Sequence, residues 1–175
     1  MVFVDESGLS EQPHRVRTWA PRGQTPVLEF NFNWSKLSVI AGVSWWEFYF
    51  RLYPRAITGA EVVDFLSHLR RQVGGRLLVI WDGLTAHRSR RVRRWLAAQD
   101  GAVAVARLPA YAPELNPAEY LFGHIKLHEL PQFCPADYAH LSRGARRAFR
   151  RTQRRPSLVR AFWQQAELSL FSCFT

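Results

Sequence analysis

Hydrophobic positions fall in short blocks whose spacing alternates between strand-like and helix-like. Val2-Phe3-Val4 is an apolar run closed by Asp5 and predicts a strand ending on a carboxylate. Residues 6–36 are polar and turn-rich, with Pro13, Pro21, Gly23 and Pro26. Leu37–Trp45 and Phe48–Tyr53 are β-branched and aromatic, and the short connection at Trp46-Glu47 predicts a hairpin. Thr58-Gly-Ala-Glu61 fits a capping box. Val62, Leu66, Leu69 and Val73 follow at helical spacing, and Gly74-Gly75 stops the helix. Arg76–Trp81 is apolar after its first residue and predicts a strand buried on both faces, ending at Asp82. Ser89–Gln99 predicts a short helix with Val92, Trp95 and Leu96 inward, and Val103–Leu108 another strand. The turn Pro109–Pro113 leads into a helix from Pro117 to about Leu130. The last stretch predicts two helices, an Arg-rich one and one with Leu158, Phe162, Ala166 and Leu170 on a single face. This order fits an α/β fold, a mixed sheet covered by helices. Functional groups in such folds gather at the carboxyl ends of strands, where Asp5 and Asp82 stand.

Charge narrows the class. The 175 residues carry 24 Lys+Arg against 14 Asp+Glu, a net charge of +10, which points to a polyanionic partner rather than a small acidic ligand. Two cysteines, Cys134 and Cys173, make neither a disulfide framework nor a four-cysteine zinc site. No apolar run reaches the ~18–20 residues of a membrane span, and acidic Asp5 and Glu6 near the start do not fit a signal peptide. The expectation is a cytoplasmic, nucleoid-associated protein with no membrane contact.

Three segments carry candidate chemistry: VFVDES around Asp5, LLVIWDGLTAHRS around Asp82, and LPAYAPELNPAEYLFGHIK around Glu119. Together they resemble the DDE transposases of the mariner-like superfamily, especially the bacterial insertion-sequence branch. The 36 residues between Asp82 and Glu119 are similar to that superfamily's usual separation. The resemblance runs from Val2 to about Lys126, with a weaker Arg-rich match beyond. It implies a ribonuclease H-like fold with a mixed five-stranded sheet flanked by helices. It also implies an Asp5, Asp82, Glu119 triad holding two Mg²⁺ or Mn²⁺ ions for DNA cleavage and strand transfer. Residues 1–130 would be the catalytic core and 131–175 an Arg-rich helical extension of the same domain. Gly83 stands where many relatives have Asn, and Phe122 where many have Trp. The expectation is that the family's N-terminal helix-turn-helix region is absent from this chain, either encoded as a separate polypeptide or in a frameshift-linked frame, or lost. Expected partners are double-stranded DNA, as transposon ends and a TA target, and a second copy of the chain as a homodimer on DNA. The alternatives are a ribonuclease H-like nuclease that cuts without joining, and a decayed or co-opted DNA-binding fragment.

The same chemistry follows from elementary arguments. Two divalent ions about 4 Å apart can serve both the attacking and the leaving oxygen of a phosphodiester displacement. Mg²⁺ takes oxygen ligands, so carboxylates from separate segments suit it. Each residue also has a plainer reading. Asp5 could simply end a strand, and Asp82-Gly83 is a common turn dipeptide. Asn116, Pro117 and Glu119 fall at N-cap, N1 and N3 of a helix, so Glu119 also fits a capping role. Glu6 reads as an accessory or solvent residue, because adjacent strand residues point to opposite faces. His87 matches the family's histidine and could touch a scissile phosphate, or could be a surface histidine at a helix start. His124 and His128 lack the intervening Glu of a zinc motif. The tryptophans read as core rather than as base-stacking platforms. Arg88, Arg90, Arg91, Arg94, Lys126, Arg147, Arg150, Arg151 and Arg154 are the candidate DNA contacts, made to phosphates without regard to sequence.

Overall fold

A computed structural model describes residues 1–14, 16–17, 19–29, 35–109 and 112–168. Its sheet has five strands, β1 (Val2–Ser10), β2 (Lys36–Val43), β3 (Phe48–Tyr53), β4 (Leu77–Trp81) and β5 (Val103–Arg107), in the order β3-β2-β1-β4-β5. β2 runs antiparallel to β1 and β3, whereas β4 is parallel to β1 and β5. This is the mixed five-stranded sheet the sequence predicts.

The helices are α1 (Gly59–Val73), α2 (Arg90–Ala97), α3 (Pro117–His124), α4 (Tyr138–Gln153) and α5 (Pro156–Gln165). They bury two clusters on opposite sides of the sheet. Val2, Val4, Val79 and Trp81 pack with α1 residues Val62, Phe65, Leu66 and Leu69 and with Val92 of α2. Phe3, Leu9, Val39 and Ala41 pack with Leu121, Phe149, Phe162 and Trp163 from α3, α4 and α5. α1 opens with the expected reciprocal capping box between Thr58 and Glu61.

Four expectations need correction. β1 does not stop at Asp5; its ladder with β2 continues to the pair Ser10–Lys36, so Asp5 lies inside the strand. Long-range pairing supplies hydrogen bonds that the Ser- and Gly-containing stretch does not advertise locally. β4 is not buried on both faces: Leu77, Val79 and Trp81 are buried, whereas Leu78 on the other face is 36% exposed. The buried face of α5 is Val159, Phe162 and Trp163, continued by Ala166 just past its end, with Leu158 at its margin and Leu170 outside the described residues. Trp19 and Trp46 are exposed rather than core, and Trp34 lies outside the described residues.

After α3 the chain widens into a π-helical turn, Ile125–Glu129, in which the Leu130 N–H donates to the Ile125 carbonyl at 2.9 Å. This turn brings Glu129 inward, with its side chain only 3% exposed, to meet Arg151 and Arg155.

Candidate active site

Alternation along β1 puts Phe3, Asp5 and Leu9 on the α3 side of the sheet, and Val2, Val4 and Glu6 on the α1 side. Asp5 is buried. Its Oδ1 accepts from the Glu6 backbone N–H at 2.8 Å, and its Oδ2 accepts from Asn116 Nδ2 at 3.2 Å. Asn116 caps α3 by accepting from the Ala118 N–H at 3.1 Å, and Pro117 follows at N1. One side chain therefore fixes both the helix start and the Asp5 carboxylate.

Asp82 follows the last residue of β4, beside β1. Its Oδ1 accepts from the Leu84 N–H at 2.9 Å, the turn signature expected of Asp-Gly. Glu119 is exposed at the third position of α3. The Asn116 N–H goes to the Pro113 carbonyl, so the Glu119 side chain does not close a capping box. The plainer reading of Glu119 thus loses its main support.

Asp5, Asp82 and Glu119 line one cavity, with Asn116, Leu108, Pro109, Ala112 and Pro113 completing the wall. Glu114 is exposed in the turn before α3 and does not line it. Burial is the main cause that pushes the Asp5 carboxyl up to about 7, and the charges of Glu119, Glu6 and Asp82 add to it. A cation in this cavity would reverse that penalty, and an all-oxygen donor set suits a hard divalent ion.

Glu6 is not a solvent residue. Its carboxylate is buried and its Oε1 lies 2.7 Å from His87 Nε2. His87 is likewise buried, not at the surface, and its Nδ1 lies 3.0 Å from Asp82 Oδ1. Burial alone lowers the His87 pKa, but the Glu6 hydrogen bond and charge, with help from Asp82, outweigh it and the net shift is upward. No signal in the sequence marks this pair, because Glu6 and His87 are 81 residues apart.

The basic candidates divide into three places. Arg88, Arg90, Arg91 and Arg94 are exposed on α2 and the turn before it. Lys126 donates to Ser7 Oγ at 2.8 Å, on the Asp5 side of β1. Arg143, Arg146, Arg147, Arg150, Arg151 and Arg154 border a groove along α4. Arg151 differs from its neighbours, because it is ion-paired to buried Glu129.

The sequence profile of the DDE superfamily endonucleases matches residues 1–134. The chain belongs to the DDE endonuclease superfamily. No curated protein matches it in sequence. Solved structures do resemble this DDE endonuclease in fold. It superposes on the Mos1 transposase paired-end complex with left transposon end at a TM-score of 0.69 and 21% identity, covering 95% of this chain and 51% of that one. The Mos1 mariner paired end complex with Mn gives 0.70 and 20%, with the same coverage. The catalytic domain of Mos1 mariner transposase gives 0.61 and 17%, covering 95% and 74%. The ribonuclease H-like fold expected from the sequence is the fold these structures share. The chain spans about half the length of the Mos1 chains in those paired-end complexes. Among the described residues no helix is long and apolar enough to cross a membrane.

Proposed function

We propose that this DDE endonuclease is the catalytic part of a transposase, cutting DNA strands and joining the ends it makes. The observation that carries the reading is the convergence of Asp5, Asp82 and Glu119, from β1, the end of β4 and the start of α3, on one cavity. Asp5, Asp82 and Glu119 would hold two Mg²⁺ or Mn²⁺ ions. When bound, such ions activate the attacking oxygen and stabilise the leaving one. Mos1 paired-end complexes with Mn and with Mg support the choice of metal.

The chain's own residues supply position. Asn116 orients Asp5 and starts the helix that carries Glu119. Lys126, tied to β1 beside Asp5, offers a positive charge to an incoming phosphate. Arg88, Arg90, Arg91 and Arg94, with Arg147, Arg150 and Arg154, would hold the duplex by its phosphates. Residues 131–175 are an extension of the same domain in this reading. The DNA would be transposon ends and a TA target, bound by a homodimer acting with a helix-turn-helix region on a separate polypeptide, in the cytoplasm at the nucleoid.

The experiment is a Mg²⁺- or Mn²⁺-dependent nicking and strand-transfer assay with parent and Glu119→Gln, with and without a helix-turn-helix polypeptide. Nicking and joining by the parent, both lost in the variant, is the expected result. Nicking without joining would make the chain a nuclease. Equal activity in parent and variant would remove Glu119 from the reaction.

A further inference from the structure

The proposed triad leaves unexplained a buried carboxylate and a buried imidazole directly behind it. Glu6 lies on the α1 side of β1, opposite Asp5, and its side chain is 9% exposed; that of His87 is 1% exposed. Both His87 ring nitrogens face carboxylate oxygens, Nε2 to Glu6 at 2.7 Å and Nδ1 to Asp82 at 3.0 Å. The ring is further held by stacking on Trp81, with centroids 4.2 Å apart and planes 5° from parallel.

The turn that carries the ring is itself held by its backbone. The turn carrying His87 is closed by bonds from His87 N–H to Leu84 O and from Ser89 N–H to Ala86 O. α1 presses on it so closely that a Cβ on Gly59 would lie 2.1 Å from Ser89 Oγ. His87 Nδ1 hydrogen-bonds the Asp82 backbone carbonyl at 3.3 Å and lies in ion-pair contact with Asp82 Oδ1 at 3.0 Å, the same oxygen that accepts from the Leu84 N–H. The Leu84 N–H and the imidazole both face Oδ1, so among the described residues Oδ2 is left as the oxygen available to a cation.

We propose that Glu6 and His87 form a buried relay that locks the Asp82 carboxylate in its metal-binding orientation, with Glu6 a positioning residue that acts through His87. The inference rests on the reading of Asp82 as a metal ligand. Stability alone does not account for the pair, because Glu6 Oε2 is buried with no hydrogen-bond partner among the described residues, and burying an unpaired carboxylate oxygen is unfavourable. Partners that orient a ligating side chain commonly change metal affinity 10–100-fold when removed. A third role, direct ligation of an ion by Glu6, Asp82 and His87, is open to the same groups, whose ligand atoms lie within 4.8 Å of one another. It would need His87 to give up either its hydrogen bond to Glu6 or the one to the Asp82 carbonyl.

The test is Mn²⁺ titration of the full chain, read by water-proton relaxation, with folding checked by circular dichroism. The variants are Glu6→Gln, His87→Asn, His87→Gln and, as control, Asp82→Asn. Glu6→Gln should weaken Mn²⁺ binding by about 10–100-fold. His87→Asn keeps an amide donor near the Nδ1 position, facing Asp82, and should retain more affinity than His87→Gln, whose amide sits near Nε2 and faces Glu6. A role in packing alone predicts equal loss in the two, and that result overturns the relay even if Glu6→Gln fails to fold. Unchanged affinity in Glu6→Gln also overturns it. Loss of all binding in both His87 variants, with Asp82→Asn still binding, would make His87 itself a ligand and overturn it too. A parent chain that binds no Mn²⁺ fails the metal reading itself, a result distinct from each of these.

Discussion

Replacing Asp5 by Asn should stabilise the metal-free protein at high pH and not at low pH. The Asp5 carboxyl titrates near 7 in the fold against an ordinary value of 3.8, because it is buried beside three other carboxylates. Between those pH values the native chain holds a proton that the unfolded chain has lost. Stability contributed by this group therefore falls as pH rises from about 4 to 7. At 1.36 kcal/mol for each pH unit, that span of about three corresponds to about 4 kcal/mol. Asn removes that penalty. It also has a single acceptor, whereas Asp5 accepts from both the Glu6 N–H and Asn116 Nδ2. One donor is left unpaired, at a cost of about 1–3 kcal/mol. The net expectation is a gain of about 1–3 kcal/mol at pH 8 and a loss of similar size at pH 4. Urea unfolding of parent and variant in chelator across this range measures it. A difference between the two proteins that does not change with pH would refute the reasoning, because it would mean that Asp5 is not held against its charge.

Other outcomes follow from the same geometry. Glu119→Gln should change stability by no more than about 0.5 kcal/mol, since the side chain is exposed and closes no capping box, yet abolish metal-dependent nicking. Replacing Arg147, Arg150 and Arg154 together by Ala should make the slope of log K against log salt shallower by about 2–3, at roughly 0.9 for each phosphate no longer neutralised, in a fluorescence-anisotropy titration. Arg151→Ala should instead destabilise the fold by about 1–3 kcal/mol in thermal unfolding, because it strips buried Glu129 of its main partner. Gly144→Val should lower the melting temperature, because even a Cβ there would sit 2.5 Å from the Phe133 ring.

Much of this was legible in the residues. The Thr58–Glu61 box, the apolar block before Asp82 and the Asn116-Pro117 helix start are local signals, and each is found where its spacing predicts. The three carboxylates were legible because each sits in its own motif. What stayed hidden depends on partners distant in sequence. The second half of β1 exists because β2 offers it a ladder, not because Ser7 or Gly8 favour a strand. The Glu6–His87 pair joins β1 to the turn after β4, 81 residues further on, and an isolated Glu beside an Asp carries no trace of it. Glu129 became visible only once the π-helical turn rotated it toward α4. A run of arginines likewise cannot tell which of them is paired, and only the fold singles out Arg151.

The most direct test of the two-metal site is anomalous diffraction from crystals of the protein soaked in Mn²⁺ with a DNA substrate. Two peaks about 4 Å apart are expected, bounded by the carboxylates of Asp5, Asp82 and Glu119. Peaks on Glu6 and His87 instead, or none beside the triad, would contradict the two-metal site.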